Sequence, residues 1–176
     1  MAPRKCRRAS TQKQVKSISD IEFARKIALD LLSIRPRSEA ELRTALAKRN
    51  VPDELIDELC GRFTEVGLLD DAQFASMLVA SRSSFSHHGK RRIRQELRNK
   101  GVPDEQAQAA LDELDDDAEL DAARAVAQRK LRSLSGLEPH VAKRRLAGAL
   151  ARRGFGPGTV MQVTNETLVD LGDDDW

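Results

Sequence analysis

The side chains that could carry out catalysis or hold a metal form no recognised site in this sequence. His87 and His88 are adjacent and would diverge on a helix, and no Cys or carboxylate stands at metal-ligand spacing from them. The glycine-rich stretch Gly154 to Gly158 lacks the Lys-Ser/Thr ending of a phosphate-binding loop and follows a helical pattern instead of a strand. Cys6 and Cys60 form no C-x-x-C pair. We therefore expect no enzymatic activity, no cofactor and no metal site.

The chemistry that the sequence favours is attraction of a negatively charged partner. Two groups of basic residues lie on predicted helices: Lys90, Arg91, Arg94 and Arg98, and later Lys143, Arg144 and Arg145. The first group occupies a sector about 100° wide at the helical period. Cations in the first turn of a helix oppose its dipole by about 0.3 to 1 kcal/mol each, whereas cations in the last turn, such as Arg152 and Arg153, complement it. We interpret the first-turn clusters as contacts to an external anion, an interpretation that pairing with the chain's own carboxylates would contradict.

The helices that must position these cations are predicted from composition and from an internal repeat. Charged residues make up 33% and aromatic residues 3% of the 176 positions, which disfavours a β-rich fold. Residues 51–54, with the sequence Val-Pro-Asp-Glu, recur unchanged at residues 102–105, and a weaker third copy follows 53 residues later. Each copy holds three short amphipathic patterns, for example one with Ile93 and Leu97 that ends at Gly101.

We therefore predict an all-α fold of three tandem three-helix, helix-turn-helix-like repeats in an elongated array. The predicted units span residues 20–67, 68–115 and 116–169. A single compact globule of nine helices is the alternative. The pattern also predicts buried faces, which are Phe23, Ile27, Leu31 and Ile34 in the first helix and Phe74, Met77, Leu78 and Phe85 in the fourth. Ser38 and Glu41 form a predicted capping box.

The two ends of the chain differ in charge from the repeats. Residues 1–19 hold six basic residues and no acid, and we expect a disordered tail that is either merely solvated or an arm touching phosphates. Residues 170–176 form a predicted acidic tail. No run of about 18 apolar residues and no secretory signal occurs, so we expect a soluble cytoplasmic protein without membrane contact. We also expect a monomer.

The predicted third helices argue against sequence-specific DNA reading. In a helix-turn-helix motif the helix after the turn enters the major groove. Here those helices begin with Asp53-Glu54 and Asp104-Glu105 and would face phosphates with negative charge. Nucleic-acid contact should therefore use the middle helices and phosphates, and the shortage of aromatic residues argues against base stacking.

The sequence resembles the RecX family of bacterial regulators over roughly residues 20–168. The resemblance is carried by Gly67 to Asp71, Phe74 and Ala75, Arg82, Gly89 to Gly101, Arg37 to Leu42, and Ala142 to Gly154. It implies tandem three-helix repeats, no enzymatic activity, and binding to RecA filaments on DNA. It also implies inhibition of RecA ATPase, strand exchange and co-protease action, and so modulation of DNA repair, recombination and the SOS response.

Resemblance and charge pattern together predict a molecule that lies along the groove of a RecA-DNA filament. The predicted contacts to RecA, or non-specifically to single- and double-stranded DNA, are Arg37, Arg43, Arg82, Lys90, Arg91, Arg94, Arg98, Lys143, Arg144 and Arg145. One alternative is a non-specific DNA-binding helical protein that acts through phosphates without RecA. Another is a helical scaffold for a different protein, with little affinity for either.

Overall fold

The computed structural model describes residues 20–173, with side chains through residue 168. The predicted basic tail, residues 1–19, therefore lies outside the described residues, as do residues 174–176. The described part consists of nine helices and contains no strand. These are α1 (Ile21–Ile34), α2 (Glu39–Ala47), α3 (Asp53–Glu65), α4 (Asp71–Ser84), α5 (Lys90–Asn99), α6 (Asp104–Asp112), α7 (Asp116–Leu131), α8 (Pro139–Arg152) and α9 (Pro157–Asp173). None of these helices has the length and apolar character needed to cross a membrane.

The helices form three successive triplets, each packed around its own core. The middle helices α2, α5 and α8 supply fully buried residues at equivalent positions: Leu42 and Leu46, Ile93 and Leu97, and Leu146 and Leu150. The predicted all-α fold of three tandem three-helix repeats is thus confirmed. The proposed unit boundaries after residues 67 and 115 fall in short connections between helices, and α9 continues to Asp173, past the proposed end of the third unit.

Two of the predicted buried faces are partly wrong. In α1 the buried residues are Ala24, Ala28 and Leu31, whereas Phe23 is 54% and Ile34 77% exposed. The small alanines let α1 approach its neighbours closely, which turns the larger side chains outward. In α4, Met77 and Phe85 are likewise exposed although Phe74 is buried.

Adjacent units are joined where the beginning of one middle helix meets the end of the next, an arrangement that we call the end-to-end contact. At the start of α2, the Ser38 hydroxyl donates to the carbonyl oxygen of Lys100 at the end of α5. At the start of α5, the Gly89 N–H donates to the carbonyl oxygen of Arg153 at 3.0 Å, and the Arg91 N–H to that of Gly154 at 3.2 Å. At both junctions the positive start of one helix lies against the negative carbonyl end of the next, so the helix dipoles attract each other.

Glycines make the end-to-end contact possible. A Cβ built on Gly101 would lie 2.3 Å from the Cβ of Ala40, and one built on Gly89 would lie 2.4 Å from the carbonyl oxygen of Gly154. Gly101 also has a φ of 74°, in the left-handed region, and ends α5 as predicted. The backbones of neighbouring units therefore touch directly.

Carboxylates of the following unit cap the starts of two of these joined helices, α2 and α5. Asp71, at the start of α4, accepts a hydrogen bond from the Glu39 N–H at 2.8 Å. Glu119 of α7 accepts one from the Lys90 N–H at 3.0 Å. The starts of α2 and α5 are thus each stabilised by an acid from the next unit.

Only half of the predicted capping box forms. The Ser38 hydroxyl accepts the Glu41 N–H at 3.2 Å. The Glu41 carboxylate binds Arg35 and Lys100, at 3.0 and 2.9 Å, and so links the first two units instead of returning to Ser38. Burial would raise the pKa of Glu41, but hydrogen bonds from Arg35 and Lys100 outweigh burial and lower the pKa to about 2.

Glu41→Gln is expected to lower the free energy of unfolding by about 2 kcal/mol at neutral pH. Because the pKa in the folded state lies below the ordinary value of 4.5, this stabilisation is present above that pH and is lost as the pH falls toward 2. Urea denaturation of the wild type and the variant across this range measures the difference. Glu65→Gln is the control, since its exposed carboxylate pairs with no described cation. A constant difference between wild type and Glu41→Gln at all pH values would contradict the prediction.

Candidate nucleic-acid interface

The cations of α5 are partly neutralised within the chain. Lys90 Nζ lies 2.8 Å from a carboxylate oxygen of Asp116, and Arg98 Nε lies 3.2 Å from one of Asp104. Lys90, a first-turn cation, thus has a carboxylate partner in the chain, which contradicts its interpretation as a contact to an external anion, and the last-turn cation Arg98 is paired as well. Sequence spacing did not show that the start of α7 would lie beside the start of α5. The carbonyl end of α8 also lies there, so the cations do not face an uncompensated dipole.

The surface of α5 nevertheless stays available to an anion. Asp116 is 90% and Asp104 72% exposed, and ion pairs in such settings contribute about 0 to 1 kcal/mol. Arg94 donates to the side-chain oxygen of Gln108, a neutral group. Exposed Arg91 pairs with no carboxylate of the described residues. A phosphate can replace partners as weak as these.

Three of the predicted contact residues hold helices together. The Arg82 guanidinium binds both carboxylate oxygens of Glu96, and this hydrogen bonding lowers the pKa of Glu96 and raises that of Arg82. Arg43 links Glu39 to Asp57 and so joins α2 to α3. Half-buried Arg37 donates from Nε to the Leu31 carbonyl oxygen at 3.2 Å. Their role as contacts to RecA or DNA stays a prediction. In the structure each of these arginines already has a partner within the chain.

The helix α8 starts earlier than predicted. It begins at Pro139, a residue well suited to the first helical position, and Lys143, Arg144 and Arg145 consequently lie in its second turn. The prediction that these cations oppose the helix dipole is therefore wrong. Their possible role in binding an anion therefore depends on the residues around them and not on the helix dipole.

Arg144 and Arg145 line a basic cleft between α7 and α8. The cleft has a volume of about 510 Å³, with Lys130, Ser133, Leu134, Arg144, Arg145, Ala149 and Arg152 around it. An adjoining hollow of about 310 Å³ is lined by Arg92, Val126, Arg129, Lys130, Ala149, Arg152 and Arg153. The two share three residues, and we refer to them together as the basic cleft. Neither lining includes a carboxylate.

The seven cations of the basic cleft form no ion pair with any carboxylate in residues 20–168. Three make other hydrogen bonds: Arg92 to the Arg152 carbonyl oxygen at 3.3 Å, Arg153 to that of Ser86 at 2.6 Å, and Arg129 beside His87 at 3.2 Å. The carbonyl ends of α7 and α8 favour positive charge nearby but do not neutralise it. The basic cleft is thus an uncompensated positive surface.

Sequence reasoning missed five cations of the basic cleft: Arg92, Arg129, Lys130, Arg152 and Arg153. The run from Arg129 to Arg132 at the end of α7 was the available signal, but complementing a helix dipole also explains such residues. Lys143, in contrast, lies about 160° around α8 from Arg145 at the helical period and does not line the basic cleft.

The histidine pair lies next to the basic cleft and resembles no metal site. Among residues 20–173, no three His, Cys, Asp or Glu side chains are placed to hold a metal ion. Burial, and then the charges of Arg92 and Arg153, lower the pKa of His88. This shift of the pKa favours the neutral form of His88, so the histidine pair is not the source of the positive charge here.

These features define a helical repeat protein with a surface suited to a polyanion, and comparison with known proteins identifies its family. Models of the first, second and third three-helix domains of RecX match residues 24–63, 70–111 and 117–164. The regulatory protein RecX of Streptomyces coelicolor is 41% identical over 158 residues, which cover 88% of this chain and 82% of the relative. That of Mycolicibacterium smegmatis is 42% identical over 153 residues, covering 85% and 81%. The chain belongs to the RecX family of regulatory proteins.

Solved structures share the fold. The crystal structure of RecX from Lactobacillus salivarius superimposes with a TM-score of 0.79, at 21% sequence identity, and covers 85% of this chain and 97% of that one. Another crystal structure, of a regulatory protein RecX, has a TM-score of 0.78. The arrangement of the three units is thus shared with experimentally determined structures.

Proposed function

We propose that this protein is a negative regulator of the RecA recombinase that binds RecA-DNA filaments in the cytoplasm. It inhibits the ATPase, strand exchange and co-protease activities of RecA without catalysis of its own, and so modulates DNA repair, recombination and the SOS response. Membership of a family of regulatory proteins supports the regulatory part. The single observation that supports contact with the filament is the basic cleft, with seven cations and no carboxylate in its lining.

The chemistry of the basic cleft suits phosphates. Arginine and lysine side chains bind phosphate oxygens without reading base sequence, so binding should be non-specific and should weaken steeply with salt. Arg92 of α5 carries the basic cleft from the third unit onto the second, whereas Arg94 lies about 160° around α5 from Arg92 and belongs to a separate surface. A rigid row of units held against DNA in this way obstructs movement of RecA subunits and entry of a second DNA.

The acidic third helices indicate which surface faces away from DNA. Asp53 and Glu54 begin α3, and Asp104 and Glu105 begin α6. Like charges repel phosphates, so DNA bound in the basic cleft should avoid these helix ends, of which the α6 end reaches the α5 surface through the pair of Asp104 with Arg98. This segregation favours one orientation on the filament.

The proposal is tested with the DNA-stimulated ATPase of RecA and the variant Arg145→Glu/Arg152→Glu. Reversing two charges of the basic cleft is expected to raise the concentration needed for half-inhibition at least about tenfold. Lys143→Glu is the matched control, because it reverses an exposed cation on the same helix outside the cleft, and it should change inhibition less than about twofold. Unchanged inhibition by the folded double variant would contradict a role for the basic cleft.

The variant Lys90→Glu/Arg91→Glu/Arg94→Glu/Arg98→Glu tests the α5 surface separately. Full inhibition by this variant, once it is shown to be folded, would exclude the α5 surface. The second candidate, a DNA-binding protein that acts without RecA, is supported by the same basic cleft. It predicts equal inhibition of an unrelated DNA-dependent ATPase, whereas a RecA regulator leaves that enzyme unaffected.

A further inference from the structure

Phe85 is a large apolar side chain that the fold leaves in water. It is the C-cap residue of α4, and its side chain is 84% exposed, more than any other large hydrophobic residue of the described part. A phenylalanine contributes to folding mainly through the apolar area that it buries. Phe85 buries almost none, so packing does not explain the residue.

The loop that carries Phe85 is held firmly beside the basic cleft. Arg153 donates to the carbonyl oxygen of Ser86 at 2.6 Å, and Arg129 lies 3.2 Å from the ring nitrogen of His87. The Gly89 N–H bonds the carbonyl oxygen of Arg153 at 3.0 Å. Arg129 and Arg153 both line the basic cleft. Phe85 therefore precedes a segment that is fixed to two cations of the cleft.

We propose that Phe85 stacks on an unpaired base of single-stranded nucleic acid whose phosphates lie in the basic cleft. Single-strand binding surfaces combine a cationic groove for the backbone with aromatic side chains for the bases, and here the loop that follows the aromatic ring is bound to cations of the cleft. Bases in a duplex are already stacked on one another and present no free face to the ring. The inference rests on the proposed function and adds to it a preference for single strands. It also revises the sequence argument against stacking, because one exposed ring in this position is sufficient.

The surroundings of Phe85 favour nucleic acid over a protein partner. Hot spots of protein interfaces are aromatic residues inside well-packed, desolvated patches. The neighbours Ser84, Ser86 and His87 are polar, and the hollow to which their loop is bound is lined by cations and by no carboxylate. A strand of phosphates and bases matches both the ring and the charge.

The test measures binding of the full-length protein to three labelled probes by fluorescence anisotropy. The probes are an oligothymidylate of about 20 nucleotides, an abasic strand of the same length, and a duplex of that length. Phe85→Ala is expected to weaken oligothymidylate binding about 5- to 100-fold and to change the other two affinities less than about twofold. Phe85→Trp should retain binding, whereas Phe85→Leu, apolar but without an aromatic face, should resemble Phe85→Ala.

Met77→Ala is the matched control, since Met77 is an exposed apolar residue of the same helix, and it should leave all three affinities unchanged. Equal loss for all three probes with Phe85→Ala, or no loss for any, would overturn the stacking proposal. Loss of RecA inhibition with unchanged oligothymidylate binding would also overturn it and assign Phe85 to a protein contact. Arg145→Glu/Arg152→Glu distinguishes the two proposals, because phosphate binding in the basic cleft requires that it weaken binding of every probe.

Discussion

Gly89→Ala is expected to lower the free energy of unfolding by about 3 kcal/mol and to loosen the second unit from the third. The new Cβ would lie 2.4 Å from the Gly154 carbonyl oxygen and 2.5 Å from the Phe155 backbone nitrogen, and backbone atoms cannot rotate away. Gly89 has a φ of −77°, which alanine adopts freely, so the effect is steric and not conformational. The substitution therefore introduces a steric clash in the end-to-end contact itself.

Urea denaturation monitored by circular dichroism measures this effect. Gly61→Ala is the matched control, because Gly61 lies inside α3 with no atom within 4 Å of the new methyl group. It should raise stability by about 0.5 to 1 kcal/mol through helix propensity. If the Gly89→Ala variant were as stable as the wild type, neighbouring units would not touch at this point in solution. Since Arg92 and Arg153 come from different units, Gly89→Ala should also weaken DNA binding.

Arg82→Ala is expected to destabilise the fold by about 2 to 3 kcal/mol. The Arg82 guanidinium of α4 donates hydrogen bonds to both carboxylate oxygens of Glu96 of α5, and the two side chains are only 32% and 26% exposed. Removal of the guanidinium leaves a partly buried carboxylate without its main partner. The cost is therefore larger than that of an exposed ion pair.

A double-mutant cycle with Arg82→Ala and Glu96→Gln separates the pair from other effects. The double variant should be more stable than the sum of the single changes predicts, by at least about 1 kcal/mol. Arg91→Ala, at an exposed cation outside any ion pair of the described residues, should change stability by less than about 0.5 kcal/mol. If Arg82→Ala cost no more than Arg91→Ala, Arg82 would be available as the partner contact that the sequence predicts.

Local signals explain why most of the fold was predictable. Gly101 ends α5 because the chain needs a left-handed residue there, and Asp70 caps α4 by accepting the Gln73 N–H at 2.9 Å. Because the sequence pattern repeats, a helix predicted in one unit also predicts the equivalent helix of the next unit, as the buried pairs Ile93/Leu97 and Leu146/Leu150 show. Signals of this kind act within a few residues and are visible in a single sequence.

The candidate site depends on contacts that local signals do not specify. Lys90 meets Asp116 because two helix ends of different units come together, and Arg92 reaches the Arg152 carbonyl for the same reason. Sequence reasoning identified Arg144 and Arg145 from their clustering but missed Arg152, whose position at a helix end has a second explanation. The helical period also predicted, wrongly, that Phe85 is buried, because the period does not show that α4 ends at Ser84.

The glycine requirement of the end-to-end contact also distinguishes the first unit from the other two. At the position of α2 that corresponds to Gly101 of α5 and Gly154 after α8, the chain carries Asn50, with a φ of 61°. A Cβ built on Gly101 or Gly154 would lie within 2.4 Å of a side chain of the preceding unit, whereas Asn50 carries a full side chain. Asparagine tolerates the left-handed conformation, so the helix ends in the same way in all three units. Glycine is therefore needed here for close packing of helix ends, and the left-handed turn alone does not require it.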